Sequence, residues 1–167
     1  SGPVSVSTSN VTLEVSGRLS MLPKKDYPGG TNASDPRGGG RRQGFISVDT
    51  SVSKAAVANL RITGGGTIQS TDPWDWWWCD RIPTPHPLDC WRPYLVHMVG
   101  VHNFSLHQVE LKDAPDHHMK VESCSTVRIT QLRVDANPLS ENTDGVNFYG
   151  GTDQLLADSH IRNGDDC

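Results

Sequence analysis

The chain has 167 residues and a mass of 18.3 kDa, enough for one domain with a sizeable core. A formal charge of −4 and a pI near 5.9 argue against the broad basic surface of a nucleic-acid-binding protein, and no apolar run is long enough to cross a membrane. Its 16 glycines and 11 prolines separate segments rich in Val, Thr and Ile without a helical apolar period, which predicts a mostly β protein.

The first strands are predicted between Val4 and Leu19, where apolar and polar residues alternate as in one or two half-buried strands. Residues 22–42 are predicted to be a loop because prolines and glycine clusters interrupt them. Short strands return at 45–48 and 55–62, and three glycines then turn the chain into another at 67–68. The Pro- and Trp-rich segment 72–93 is predicted to be an ordered loop packed on the body of the protein.

From residue 94 onward the strand pattern becomes periodic, and similar units start at Phe104 and Val127, which are 127 − 104 = 23 residues apart. This spacing favours a parallel β-solenoid, in which each coil stacks its strands on the previous coil. A β-sandwich is the alternative, but it would favour hairpin turns between paired strands. In the solenoid the residues expected to point inward are Val109, Leu111, Val127, Ile129, Leu132 and Val134.

Four cysteines and three N-glycosylation sequons, at Asn10, Asn32 and Asn103, are typical of the oxidising secretory route. We therefore expect a secreted, extracellular glycoprotein, and the absence of a signal peptide before Ser1 fits a mature or trimmed chain. Cys79 and Cys90 bracket a Pro-rich loop of ten residues, which predicts a local disulfide, with metal binding as the weaker alternative.

Two motifs near the C-terminus place three carboxylates in short Gly-containing turns: Asn142-Thr143-Asp144-Gly145 and Asn163-Gly164-Asp165-Asp166-Cys167. The interval from Asp144 to Asp165 is 165 − 144 = 21 residues, about one solenoid coil. Asp-Gly and Gly-Asp-Asp are also ordinary turn sequences. In this order, however, the two motifs resemble glycoside hydrolase family 28, the polygalacturonase-like enzymes that degrade pectin. Supporting similarity lies in Ser9 to Gly17, Gly64-Gly65-Gly66-Thr67-Ile68, Arg92-Pro93, and Asp113-Ala114-Pro115 before His117.

The resemblance implies a right-handed parallel β-helix in which residues 1–167 form a single, partial catalytic domain. It also implies inverting hydrolysis of α-linked galacturonic acid bonds in pectic polysaccharide, with Asp165 as general acid and Asp144 and Asp166 as bases that hold the water. Repulsion among carboxylates this close is expected to raise at least one pKa. The candidate substrate-binding residues are Asn142, which matches the leading asparagine of the first motif, and Trp77, Trp78 and His117.

The chain departs from the family pattern in two places. Asn147 stands where family members commonly have an aspartate, which puts a supporting polar contact in doubt. The Gly-His-Gly and Arg-Xaa-Lys motifs that follow in the family do not occur before Cys167, so we expect these residues alone to be the N-terminal part of a catalytic domain and inactive. The alternatives are a non-catalytic β-helix that binds carbohydrate or serves structure, and a hydrolase for rhamnogalacturonan or xylogalacturonan.

Several other side chains have two interpretations each. The cluster Trp74, Trp76, Trp77 and Trp78 is either a sugar-stacking platform or a packing seal, and packing is favoured. Asp116, His117 and His118 are adjacent, but neighbours on a strand point to opposite faces, so no metal site is predicted. The resemblance to the family likewise implies a hydrolase with no metal or organic cofactor. The arginines at 37, 41 and 42 favour a solvated loop over an anion cradle.

Cys124 is predicted to be buried at a strand end. Cys167, whose partner in the family lies downstream, is predicted to be a free thiol. At full length we expect a monomer with no nucleic-acid or membrane partner.

Overall fold

The computed structural model describes residues 1–27, 44–53, 56–77 and 92–167, and these form short strands joined by tight turns. The strands are β1 (Val4–Ser5), β2 (Val11–Glu14), β3 (Arg18–Ser20), β4 (Ile46–Asp49), β5 (Val57–Thr63), β6 (Thr67–Gln69), β7 (Val96–Val99) and β8 (Val101–His107). They continue with β9 (Glu110–Lys112), β10 (Met119–Glu122), β11 (Ser125–Thr130), β12 (Arg133–Asp135), β13 (Val146–Tyr149), β14 (Thr152–Ala157) and β15 (His160–Arg162). Two short helices, α1 (Thr50–Ser53) and α2 (Pro73–Trp77), and a 3-10 turn at Lys24–Asp26 lie between strands.

The strands form three parallel sheets of five strands each. Sheet 1 joins β1, β4, β7, β10 and β13, sheet 2 joins β2, β5, β8, β11 and β14, and sheet 3 joins β3, β6, β9, β12 and β15. Each set of three consecutive strands is therefore one coil, numbered here 1 to 5 from the N-terminus. All strand pairs among the described residues are parallel, and none is a hairpin. The predicted parallel β-helix is confirmed.

The core is a set of apolar rows that run from coil to coil. The 23-residue spacing predicted from the sequence corresponds to one coil, since Phe104 of β8 pairs with Val127 of β11. In sheet 3, Leu111 lies opposite Val134 in the same way. The six residues predicted to point inward are each 3% exposed or less, and they belong to one continuous hydrophobic cluster. The inward pattern was therefore predicted correctly.

Two details differ from the sequence prediction. Residues 4–19 contain three strands rather than one or two, because the backbone turns at Asn10, whose φ is +63°, and again between β2 and β3. The segment predicted to be a loop at 72–93 begins with helix α2. Pro73 explains this start, because its fixed φ suits the first position of a helix. Residues 78–91 of that segment lie outside the described ranges.

A ladder of asparagines follows the turns that enter sheet 2. Asn59 Nδ2 donates to Asn10 Oδ1 at 2.9 Å, and Asn103 Nδ2 donates to Asn59 Oδ1 at 2.7 Å. All three have φ near +60°, a conformation that asparagine tolerates better than most residues. Two of the predicted glycosylation sites, Asn10 and Asn103, are thus exposed members of a structural ladder. No helix among the described residues is long and apolar enough to span a membrane.

Candidate active site

Thr143 ties the two acidic motifs together from inside the protein. It is fully buried, and its hydroxyl donates to the carbonyl oxygen of Ser140 at 2.8 Å. The Oγ1 atom of Thr143 also accepts a hydrogen bond from the backbone N–H of Gly164, in the second motif, at 3.1 Å. Because a buried hydroxyl needs partners, these bonds fix the turn that ends in Asp144 against the turn that carries Asp165.

The second motif is held in shape by its own asparagine. Asn163 Oδ1 accepts from Asp165 N at 2.9 Å, and Asn163 Nδ2 donates to the carbonyl oxygen of Asp166 at 2.8 Å. The carboxylate of Asp165 reaches back to the first motif, where Oδ2 accepts from Asn142 N at 3.0 Å. Asp165 and Asp166 are both exposed. Their carboxylates are therefore accessible to a ligand.

Glycine is required where the two turns touch. A Cβ on Gly164 would meet the carbonyl oxygen of Ser140, and a Cβ on Gly145 would meet that of Cys167. With glycine at both positions the backbones come close enough for Gly145 N to donate to Asp166 O at 2.9 Å and Val146 N to Cys167 O at 3.0 Å. The second motif thus continues the ladder of sheet 1 beyond β13.

The register of sheet 1 places the candidate residues in one row. Met119 lies opposite Val146, so His117 and Asp144, each two residues earlier, lie opposite one another on coils 4 and 5. The hydrogen bond from Val146 N to Cys167 O extends the same register, which puts Asp166 next to Asp144. Neighbouring positions of such a row are about 4.8 Å apart. The fold therefore brings together His117, Asp144 and Asp166, with Asp165 beside them.

Asp144 is held by one donor on each carboxylate oxygen. Asn147 Nδ2 donates to Oδ2 at 2.8 Å, and His117 Nδ1 lies 3.2 Å from Oδ1. The side chain of Asp144 is only 13% exposed, so these contacts set its orientation. The doubt raised by an asparagine at 147 is resolved, because this residue supplies a direct contact to the candidate catalytic carboxylate.

His117 is itself wedged between several groups. Its Nδ1 lies 3.1 Å from Asp116 Oδ1 and 3.3 Å from the carbonyl oxygen of Asn142, in addition to its contact with Asp144. All three neighbours are acceptors, so Nδ1 carries a proton. The ring stacks on Tyr94, with centroids 5.1 Å apart and planes at 12°. His117 therefore supports the first motif, whereas the sequence suggested only a contact to substrate.

His118 supports the first motif from inside the protein, a role that the sequence did not predict. It is completely buried, and its Nδ1 donates to the carbonyl oxygens of Thr143 at 3.0 Å and Asp144 at 3.1 Å. Its Nε2 accepts from Ala114 N at 3.3 Å. Burial lowers the pKa of His118 to about 4, so the ring is neutral near pH 7. Adjacent histidines gave no signal of this role, because it depends on which ring is buried.

The remaining predicted residues are placed as follows. Asn142 is exposed, and its backbone contacts both Asp165 and His117. Trp77 is 5% exposed and its Nε1 donates to Ala114 O at 2.8 Å, a position that fits the packing interpretation. Trp74 is the accessible indole of this helix, at 49% exposure, and it meets Trp77 edge-on.

Of the four cysteines, Cys124 and Cys167 lie in the described part of the chain. Cys124 is buried, as predicted, and Cys167 is an exposed free thiol, as predicted; Cys124 is also a free thiol. The predicted disulfide between Cys79 and Cys90 lies outside the described residues, as do Trp78, Asn32 and the arginines at 37, 41 and 42.

The sequence of this chain is similar to those of two plant polygalacturonases. Polygalacturonase QRT2 of Arabidopsis thaliana is 33% identical over 112 residues, which are 66% of this chain and 25% of that protein. Polygalacturonase-2 of Solanum lycopersicum is 32% identical over 113 residues, which are 67% of this chain and 24% of that protein. The chain thus spans about a quarter of the length of these curated relatives.

The fold has a solved counterpart. The polygalacturonase from Erwinia carotovora ssp. carotovora superimposes with a TM-score of 0.81 at 22% sequence identity, covering 99% of this chain and 45% of that one. The profile of glycosyl hydrolases family 28 matches residues 7–167. The chain belongs to glycosyl hydrolases family 28.

Proposed function

We propose that the protein is a glycoside hydrolase that cleaves α-linked galacturonic acid bonds in pectic polysaccharide. The observation that carries this proposal is the stacking of the two acidic turns, which gathers Asp144, Asp165 and Asp166 at one edge of sheet 1. Glycosidic hydrolysis needs a proton donor and a base in one small volume. Membership of the family and the names of the relatives support the substrate class.

In the proposed mechanism, Asp165 protonates the oxygen of the leaving sugar. Asp144 and Asp166 start ionised and orient a water that attacks the anomeric carbon from the opposite face as the glycosidic C–O bond breaks. One of the two carboxylates accepts the proton released by that water, and the configuration inverts. His117 and Asn147 keep the carboxylate of Asp144 pointed at that water. Acid/base hydrolysis by carboxylates needs no metal or organic cofactor, and none is proposed.

Residues 1–167 are proposed to form a single part of a catalytic domain and to be inactive alone. The family motifs Gly-His-Gly and Arg-Xaa-Lys, the second of which grips the substrate carboxylate, do not occur in these residues. Tests of activity therefore use the full gene product, meaning the protein that carries these 167 residues with any others encoded beside them.

We further propose that the protein is a secreted monomeric glycoprotein. The exposed sequons at Asn10 and Asn103 support this. Mass spectrometry of the protein from its native source, before and after glycan removal, tests the modification. A mass equal to that of the bare chain would contradict it.

The function is tested by the release of reducing ends from polygalacturonate, rhamnogalacturonan and xylogalacturonan by the full gene product. Polygalacturonate is expected to be cleaved fastest, and proton NMR of the first products is expected to show the β-anomer. If only rhamnogalacturonan or only xylogalacturonan were cleaved, that polymer would be the substrate in place of polygalacturonate. Cleavage of none of the three would contradict the proposed activity.

A further inference from the structure

The outer face of sheet 1 carries a charged and aromatic cluster that the proposed chemistry does not use. It consists of Lys120, Glu122, His97, Tyr94 and Tyr149, called here the Lys120 cluster. Lys120 and Glu122 lie on β10, His97 lies opposite Lys120 on β7, and Tyr149 lies opposite Glu122 on β13. The cluster therefore spans coils 3 to 5, next to the row that contains Asp144.

Lys120 is the only lysine or arginine on the five strands of sheet 1. Its ammonium lies between two aromatic rings, 5.3 Å from the centroid of Tyr94 and 4.7 Å from that of Tyr149. Nζ also lies 3.0 Å from Glu122 Oε1. Contacts with two rings and a carboxylate hold the long side chain in one place, so little conformational freedom remains to be lost on binding.

The ammonium stays charged in this setting. Partial burial alone would lower the pKa of Lys120, but the hydrogen bond with Glu122, assisted by Tyr94, outweighs it and the pKa is raised. The side chain remains 19% exposed, so solvent and ligands reach it. A lysine ammonium has three donors, and the contact with Glu122 at 3.0 Å uses one of them.

Glu122 does not depend on Lys120 as its sole partner. The same oxygen, Oε1, lies 2.7 Å from His97 Nε2. If a ligand carboxylate displaced Glu122 from the ammonium of Lys120, Glu122 would keep the hydrogen bond with His97 and would not be left as an unpaired charge. A ligand carboxylate can therefore replace Glu122 on the ammonium of Lys120 without leaving Glu122 unpaired.

The position of Lys120 relates it to the candidate catalytic centre. Lys120 lies opposite Asn147 in the register of β10 and β13, and Asn147 donates to Asp144. One step along the coils is about 4.8 Å. Lys120 is therefore one coil toward the N-terminus from Asn147, and three residues along the chain from His117, which lies opposite Asp144.

We propose that Lys120 binds the carboxylate of a uronate ring in a subsite one coil toward the N-terminus from Asp144, with the exposed ring of Tyr149 flanking that sugar. The class of ligand rests on the proposed function, because a polyuronate is what brings a second carboxylate to this face. Tyr149 is 53% exposed, so part of its side chain is available to a sugar.

Substitutions of Lys120 and of Glu122 distinguish a ligand-binding lysine from an ion pair that serves only the fold. Lys120→Met removes the cation but keeps most of the side-chain volume. Glu122→Gln keeps a hydrogen-bonding side chain but removes the competing anion. If Lys120 serves only the fold, both variants lose stability and neither improves binding. If Lys120 binds uronate, the two variants change affinity in opposite directions.

The experiment measures binding and turnover separately in the full gene product. Calorimetry with oligogalacturonate, in an Asp165→Asn background that cannot turn over, gives Kd. Lys120→Met is expected to weaken binding by about tenfold or more, since it removes a charge-assisted hydrogen bond. Glu122→Gln is expected to tighten it roughly two- to fivefold. Lys112→Met, on β9 of sheet 3, is the matched control and is expected to change nothing.

A second binding experiment uses a ligand whose carboxylates are methyl-esterified. Methyl-esterified oligogalacturonate has no carboxylate, so Lys120→Met is expected to leave its Kd unchanged. Equal Kd values for wild type and Lys120→Met on the acid form, or equal losses on acid and ester, would overturn the subsite. If the wild type bound oligogalacturonate through Lys120 but released no reducing ends, the proposed function would fail while the subsite stood.

Discussion

The side chains of His117 and Asp144 meet across coils 4 and 5, with 3.2 Å between Nδ1 and Oδ1. Because the ring of His117 also stacks on Tyr94, its orientation does not depend on Asp144 alone. His117→Phe keeps the stack and removes the donor, so Asp144 loses one of its two supports. We expect kcat on polygalacturonate to fall about tenfold or more, with a smaller change in KM.

His117→Asn is the companion variant, since its amide nitrogen replaces Nδ1 as a donor. It is expected to recover part of the lost kcat. A large rise in KM at unchanged kcat in the Phe variant would instead favour the direct substrate contact suggested by the sequence.

The contact between Asn147 and Asp144 is tested by placing a negative charge at position 147. Asn147→Asp restores the residue common in the family, but it places a carboxylate where an amide now lies 2.8 Å from Asp144. Two carboxylates at that distance cannot both ionise easily, so the pair binds a proton more tightly. The acidic limb of the kcat/KM profile is expected to move to higher pH. Asn147→Ser, which adds no charge, is the control and should lower kcat without moving the limb.

Much of the fold was predictable because the later coils are regular. The unit that begins at Phe104 returns at Val127 after 23 residues, and no long insertion separates the strands between them. The earlier coils are harder to recognise, since Ile46 pairs with Val96 across 96 − 46 = 50 residues. A repeat of that length has no sequence period, and only the short strands on either side of the insertions were visible.

The candidate site was predictable to the extent that it lies in short motifs. Asp144, Asp165 and Asp166 are marked by their flanking residues, and hydrogen bonds between the turns bring the motifs together as expected. The support beneath them was not visible in the sequence. The burial of His118 depends on its contacts with the turn at Thr143 and Asp144, and the burial of Trp77 depends on helix α2, which the sequence did not predict.

His118 makes the stability of the protein depend on pH. Its pKa in the folded protein is lowered by burial to about 4, below the value of about 6.5 for an unfolded histidine. The unfolded state therefore binds a proton first as the pH falls, and stability is lost progressively between about pH 6.5 and pH 4. Above pH 6.5 this contribution is fully present.

The measurement is the free energy of unfolding, from denaturant titration, for wild type and His118→Gln at pH 7, 5.5 and 4. The difference between the two proteins is expected to be largest at pH 7 and to shrink toward pH 4. A constant difference over this range would mean that folding leaves the pKa of His118 unchanged, which would contradict the lowered value.

Gly164 tests the close contact between the two turns. Gly164→Ala would push its Cβ into the carbonyl oxygen of Ser140 and force the Asp165 turn away from Asp144. We expect a loss of stability of about 1–3 kcal/mol and a lower kcat. Gly17→Ala is the control, because a Cβ at Gly17 has no atom within 4 Å. Equal effects of the two substitutions on melting temperature and kcat would contradict the packing described here.

The central claim, that three carboxylates act together with Asp165 as the acid, is tested most directly by kcat of Asp165→Asn in the full gene product. The amide is nearly isosteric, so the turn and most substrate contacts should persist while the proton donor is lost. Reducing-end release from polygalacturonate is expected to show kcat lowered on the order of 10²-fold or more, with KM little changed. Adding Asp144→Asn or Asp166→Asn should lower it far less than the product of the single effects. Turnover near the wild-type value in Asp165→Asn, on every pectic polymer that the wild type cleaves, would contradict the assignment.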